Sequence, residues 1–315
     1  MGTPEQHRSL LSTDDLTDAD LRAVVNRGAD HAAGRPGGTR ALAGDIVGVY
    51  FRMTSTRTRT AFSSGALRLG AQIVAYGPDD LQINTGESSE DTGRVFARML
   101  DVIVARTGLP QQELAAWADP ERLCVVNAMT AEEHPTQALT DLTTLKSRFG
   151  GIDGLRVVYV GEGNNTAAAL ALTLTRFPGV RFELRTPSGY GLTKDIRERA
   201  EEHARRSGAS MVERHDMDAL PHDTDVWYTT RWQTTGTSKP DANWRDVFAP
   251  FQVTRQLWEH SPKAVFMHDL PAHRGDEVTA EVLDGPTSIA LDQAENKMHS
   301  AMAVLEWCRG AELTA

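Results

Sequence analysis

Short apolar runs rich in Val, Ile and Tyr recur along the chain, each closed by a polar cluster and followed by a stretch of helical spacing. In the first half, Ile46–Phe51, Gln72–Tyr76, Val102–Ala105 and Cys124–Asn127 read as strands, and 58–69, 90–100 and 135–148 as helices. A Gly/Ala-rich stretch, 28–45, reads as a mobile connection. The pattern breaks at SRFGGIDGLR (147–156), where glycines interrupt the periodicity, and this reads as a hinge. It then restarts. Arg156–Val160, Val180–Leu184, Ser210–Glu213, Asp225–Thr229, Ala264–Met267 and Ser288–Leu291 read as strands, with helices near 166–177, 192–206, 251–259 and 293–308. Such alternation implies parallel sheets covered on both faces. The predicted fold class is α/β: two doubly wound parallel-sheet domains, 1–148 and 149–292, with the active site in the cleft between them.

Composition narrows the classes. The 315 residues suffice for two domains of ordinary size. No apolar run approaches the ~20 residues that a membrane span needs, so no membrane partner is expected. The opening segment MGTPEQHRSLLSTDDLTDAD is polar and acidic, unlike a secretory signal, and Gln6 breaks the myristoylation pattern. Cys124 and Cys308 make no disulfide framework and read as buried thiols. The cytoplasm is the expected location. A formal net charge of −10 argues against nucleic-acid binding, which needs a basic face.

Against that acidic background one stretch stands out. FRMTSTRTRTAF places two arginines and five hydroxyl residues within Thr54–Thr60, where a strand gives way to a helix. A helix N-terminus offers unpaired N–H groups and partial positive charge. Hydroxyls and arginines added there suit a tetrahedral anion, most simply phosphate. Open α/β sheets bind ligands beyond the carboxyl ends of their strands. Five more polar sites stand at such ends: Arg106, EEHPTQ (132–137), GEGNN (161–165), TTRWQTTG (229–236) and HDLPAHRGDE (268–277). All six are expected to face one cleft.

These clusters, in this order, resemble the aspartate/ornithine carbamoyltransferase family. STRTR (55–59) matches its carbamoyl-phosphate motif and HPTQ (134–137) a second motif, while HDLPAHRGDEVTAEVLDGPTSIALDQAENKMHS is similar to its HCLP region and C-terminal helix. The similarity spans residues 8–308. It implies a carbamoyl-phosphate-binding first domain, an amine-acceptor-binding second domain, and a last helix (293–315) that packs back on the first. It also implies a homotrimer or a multiple of trimers with sites between subunits, and the carbamoyl-transfer scheme calls for no cofactor or metal.

The resemblance implies residue roles as well. Ser55, Thr56, Arg57 and Thr58 hold the phosphate, with Arg57 stabilising it as it leaves. Arg106 and His134 donate toward the carbonyl oxygen, helped by Thr58. Gln137 and the Leu270 backbone carbonyl hold the carbamoyl NH2. Gln82 matches a position that reaches a neighbouring subunit's site, and Arg59 is structural. The chemistry agrees. An amine attacks the carbonyl carbon, a tetrahedral oxyanion forms, and phosphate leaves, so the protein must position two reactants and stabilise negative charge.

The acceptor side departs from the pattern. Asn165 in GEGNN resembles the ornithine branch, where the asparagine contacts the amino-acid carboxylate. Arg231 and Gln233 in TTRWQ resemble the aspartate branch, where they bind carboxylates. The acid that holds the α-ammonium in the ornithine branch is Thr230 here. The usual cysteine is Asp269, a carboxylate that suits a cationic acceptor end or the proton of the attacking amine. The arginine of AENR is Lys297, which keeps the charge and loses the bidentate fork. Ser63 replaces a glutamate that supports Arg59. The acceptor expected from these changes is an amino-acid-like amine other than plain ornithine or aspartate, within specialised biosynthesis. Ornithine transfer in arginine metabolism is one alternative, and a non-catalytic phosphate-ligand-binding relative is another. A nucleotide-dependent oxidoreductase is a weaker rival: GEGNNT with Glu183 approximates a dinucleotide fingerprint but lacks its third glycine.

Overall fold

The structure, a computed structural model, describes residues 8–35, 40–234 and 238–314. Residues 1–7 of the opening segment, 36–39 of the 28–45 connection, 235–236 of the TTRWQTTG cluster with 237 after it, and 315 at the end of the expected 293–315 helix lie outside them. The chain forms two units, Met1–Gly150 with Glu295–Ala315, and Gly151–Ala294.

In the first unit the elements run α1 (Asp18–Ala32), β1 (Ile46–Phe51), α2 (Thr56–Arg68), β2 (Gln72–Tyr76), α3 (Ser89–Phe96), β3 (Val102–Arg106), α4 (Gln111–Ala115), β4 (Cys124–Met129) and α5 (Pro135–Phe149). The strands are all parallel, in the order β2-β1-β3-β4. β3 and β4 are buried throughout, which is why they read as continuous apolar runs, while β2 is a largely exposed edge. α1 corrects the reading of 28–45 as a connection. Thr17 caps it, and Leu21, Val24, Val25 and Gly28 form its buried face. Gly28 is there for close approach: a Cβ would meet Thr143 Oγ1 of α5 at 2.7 Å.

In the second unit the elements are β5 (Arg156–Val160), α6 (Asn165–Leu174), β6 (Arg181–Arg185), α7 (Lys194–Ser207), β7 (Ser210–Arg214), β8 (Val226–Thr229), α8 (Trp244–Phe248), β9 (Val265–His268) and α9 (Ala280–Leu283). Its parallel sheet has the order β7-β6-β5-β8-β9. Val158, Trp227, Trp258 and Phe266 lie in its core. Helix α10 (Ala290–Cys308) starts here and belongs to the first unit from Glu295 onward.

Two expectations are corrected. Ser288–Leu291 is not a strand: Ser288 makes one bridge to Phe266, and α10 begins two residues later, leaving Leu291 78% exposed. The stretch 251–259 is not one helix either. Val253 bridges to Val278 and separates two short 3-10 turns, Ala249–Phe251 and Arg255–Glu259. Among the described residues no helix is long and apolar enough to cross a membrane.

Candidate functional site

In the first unit the TSTRTRT stretch opens α2. Ser55 is its N-cap residue, in extended backbone, but its side chain makes no capping bond, and the first turn carries no acid. α5 begins in the same way, with His134 at its N-cap position, no side-chain cap, and Pro135 in its first turn. By contrast α1, α3, α6 and α7 are capped by Thr17, Ser88, Asn164 and Thr193. The short helices α4, α8 and α9 also lack a side-chain cap, so what distinguishes the starts of α2 and α5 is the chemistry placed there.

Lys297 of α10 touches both. Its ammonium donates to Gln137 Oε1 in the first turn of α5 and lies 3.5 Å from Thr58 Oγ1 in the first turn of α2. Gln137 donates its own N–H to Asp141 Oδ1 at 2.7 Å, so the amide orientation is fixed. Thr58, His134, Gln137 and Lys297 are buried, Arg57 is half-buried, and Thr56 is exposed.

Arg106 reaches this group because the sheet bends there. The β3–β4 register shifts between Ala105 and Arg106, so that Arg106 faces Met129. Bulges of this kind re-aim a side chain at the end of a strand. The irregularity is held by Asn127, whose side chain accepts from Met129 N at 2.9 Å and donates to Leu11 O at 2.7 Å. Arg106 Nη1 then lies 3.4 Å from His134 Nε2. A guanidinium only donates, so Nε2 is the acceptor and the ring proton sits on Nδ1, 3.4 Å from Thr136 Oγ1. Burial, and then the positive charges of Lys297 and Arg106, push the His134 pKa well below its ordinary value.

Sequence reading missed Glu133, which fixes the chain just before His134. It is buried and accepts from Ser12 Oγ (2.6 Å), Thr13 Oγ1 (2.7 Å) and Thr13 N (2.8 Å). Nothing in the sequence separates it from its exposed neighbour Glu132. Gln82 and Arg59 are both exposed, and Gln82 accepts from Thr85 Oγ1.

In the second unit three of the acceptor-side candidates, Asn165, Thr230 and Asp269, collect at the start of α6, while Arg231 and Gln233 follow Thr230 along the chain. Asn164 caps the helix, accepting from Thr166 N and Ala167 N, and donates to Thr230 Oγ1 at 3.0 Å. Thr230 also shares a hydrogen bond with the Tyr159 hydroxyl at 2.9 Å. Asp269 Oδ2 accepts from Thr166 Oγ1 at 3.1 Å. Asn165 is buried, Gln233 and Leu270 are half-buried, and Arg231 Nε is buried with no hydrogen-bond partner among the described residues. That orphaned donor suits an anionic ligand group. Beside them the Lys239 ammonium meets Glu162 Oε1 and lies 4.9 Å from the ring centres of Tyr190 and Phe248.

The dinucleotide reading of GEGNNT fails here. A Cβ on Gly163 would sit 2.4 Å from the Gly191 carbonyl carbon, and Gly163 N donates to Tyr190 O at 2.7 Å. The glycine therefore admits the chain's own 190–192 loop. Glu183 is occupied by Arg185 Nε at 2.6 Å.

Comparison with known proteins agrees with this geometry. Residues 8–147 match the carbamoyl-P binding domain of aspartate/ornithine carbamoyltransferase, and residues 153–308 match its Asp/Orn binding domain. The chain is 36% identical over 308 residues to the ornithine carbamoyltransferase of Thermococcus kodakarensis, covering 96% of each chain. It is 39% identical over 270 residues to that of Methanothermobacter thermautotrophicus, covering 85% of this chain and 89% of the relative. The solved ornithine carbamoyltransferase from Pyrococcus furiosus superposes with a TM-score of 0.88 at 36% identity, covering 95% of this chain and 96% of that one. The chain belongs to the aspartate/ornithine carbamoyltransferase family, and it is a carbamoyltransferase.

Proposed function

We propose that the enzyme transfers the carbamoyl group of carbamoyl phosphate to the side-chain amine of ornithine. The observation that carries the donor half is Lys297 touching the first turns of α2 and α5, beside the Arg106–His134 pair. In this reading Ser55, Thr56, Arg57, Thr58 and Lys297 hold the phosphate. Gln137 and the Leu270 carbonyl hold the carbamoyl NH2. Arg106 turns its N–H groups toward the carbonyl oxygen, and His134, freed at Nε2, takes the tautomer that donates there. The neutral amine attacks the carbonyl carbon, a C–N bond forms, and the bond to phosphate oxygen breaks as Arg57 stabilises the leaving dianion. The amine's proton is assigned first to Asp269 and passes through solvent to the phosphate, so that the product leaves as the hydrogen phosphate dianion.

Ornithine is favoured over an unusual acceptor because the similar proteins named above are ornithine carbamoyltransferases. Thr230 in place of an acid does not rule it out. Asp269 and Thr230 bond to neighbouring residues of the same helix start, Thr166 and Asn164, so the acceptor side keeps a carboxylate although Thr230 is not one. A second reading, a different diamino acid with an added anionic group, is favoured by the orphaned Arg231 Nε. We further propose a homotrimer, supported by the open β2 edge with Val74, Val95 and Met99 exposed nearby in sequence and Gln82 exposed. Sedimentation equilibrium tests it, and a monomer at micromolar concentration would refute it.

The test of function is acceptor-dependent product. With ornithine and carbamoyl phosphate, one ureido group should form for each phosphate released. Phosphate release without ureido product in the presence of ornithine would refute the ornithine assignment.

A further inference from the structure

His268, the last residue of β9, is fully buried and held on three sides. Its backbone N–H donates to Gln293 Oε1 at 2.9 Å. Its Nδ1 receives the backbone N–H of Leu270 at 2.8 Å, and its Nε2 faces Glu277 Oε1 at 3.2 Å. A backbone amide can only donate. Nδ1 must therefore carry the lone pair, and Nε2 carries the proton that is donated to Glu277. Glu277 is itself 1% exposed, and the same oxygen takes the His273 backbone N–H at 2.5 Å.

The residue so held is an unusual one. Leu270 has φ 51°, in the left-handed region that a leucine adopts only when its surroundings impose it. One contact that holds it is the imidazole two residues earlier. Between them Asp269 Oδ1 lies 3.6 Å from the same Nδ1. The backbone that carries the Leu270 carbonyl thus rests on one ring and its tautomer, while the carboxylate of Asp269, between the two, accepts from Thr166 Oγ1.

We propose that His268 and Glu277 are positioning residues for carbamoyl transfer. Glu277 selects the Nε2–H tautomer of His268, and that tautomer holds the backbone that aims the Leu270 carbonyl and Asp269. The proposal rests on the functional reading above, in which those two groups meet the substrates. Neither His268 nor Glu277 touches substrate in this account.

The test has an arm that needs no activity. Nitrogen NMR of the wild-type enzyme should show His268 protonated at Nε2 and unprotonated at Nδ1, and a proton on Nδ1 would overturn the proposal. The kinetic arm compares His268→Leu, which removes the acceptor, with His268→Asn, whose side-chain oxygen stands near the place of Nδ1. His268→Leu should lower kcat/KM for carbamoyl phosphate by about 100-fold, the scale of an ångström-level misplacement. His268→Asn should recover most of that loss. Inhibition by inorganic phosphate, which the functional reading assigns to Ser55, Thr56, Arg57, Thr58 and Lys297, should be unchanged in both. Equal losses in the two variants, or wild-type activity in His268→Leu, would overturn the proposal. A wild type inactive with every amine would instead defeat the functional reading and leave the NMR result to decide this one.

Discussion

Arg106 Nη1 stands 3.4 Å from His134 Nε2, and both side chains are buried. The pairing forces a neutral imidazole, because desolvation and two nearby cations all oppose its protonation. In the unfolded chain the same histidine protonates near its ordinary pKa of about 6.5. Its folded pKa is depressed, so its contribution to stability is fully present above that value and is lost as pH falls from there toward the folded pKa. Replacing His134 by Gln should flatten the acid-side slope of unfolding free energy by up to one proton, about 1.4 kcal/mol per pH unit. Urea titrations of both proteins between pH 5 and 7 check this, and identical slopes would contradict it.

Arg57 is assigned to the leaving phosphate, and Lys297 ties its helix to α5. Arg57→Ala should reduce kcat by 10²–10³-fold, or about 3–4 kcal/mol of barrier. Lys297→Met should act differently. It leaves Gln137 Oε1 without the lysine and removes a phosphate charge, so the KM for carbamoyl phosphate should rise more than kcat falls. Steady-state kinetics separate the two patterns.

The Lys239–Glu162 pair tests how the acceptor side is held. Burial is the main cause that raises the Glu162 pKa and lowers that of Lys239, each opposed by the other's charge. Removing one partner leaves a charge poorly solvated. Lys239→Met and Glu162→Gln should each destabilise by about 3 kcal/mol, the low end for breaking a buried pair. The double variant should be more stable than the sum of the two losses implies. Additive losses would show that the contact contributes nothing.

Cys124 and Cys308 are buried, and burial is the main cause that pushes the Cys124 thiol up to about 11 and that of Cys308 well above its ordinary value. Neither should react with iodoacetamide at pH 8 in the native enzyme, whereas both should label in urea. Rapid native labelling would contradict their placement.

The strands were legible because β3, β4, β5 and β8 are buried on both faces and so leave uninterrupted apolar runs. The phosphate-side residues were legible because TSTRTRT and HPTQ are local, each placing its chemistry within one helical turn. Helix α1 was not, since Gly28 looks like a loop residue until Thr143 is seen against it. Asn127, Glu133 and His268 escaped notice for a related reason. Each acts through partners distant in sequence or through backbone groups, as Glu133 does with Ser12 and Thr13, and no spacing records such contacts. Thr230 reads as a missing acid in the sequence, and the contacts of Thr230 with Asn164 and of Asp269 with Thr166, at one helix start, are not legible there.

The measurement that tests the account most directly is a competition among amines. Enzyme and carbamoyl phosphate would be incubated with an equimolar mixture of ornithine, lysine, aspartate, diaminobutyrate, diaminopropionate and putrescine, and carbamoylated products identified by mass spectrometry. The account expects citrulline as the dominant product, abolished by Arg57→Ala. Dominance of another carbamoylated diamine would contradict the ornithine assignment, and absence of any acceptor-dependent product would contradict the assigned reaction.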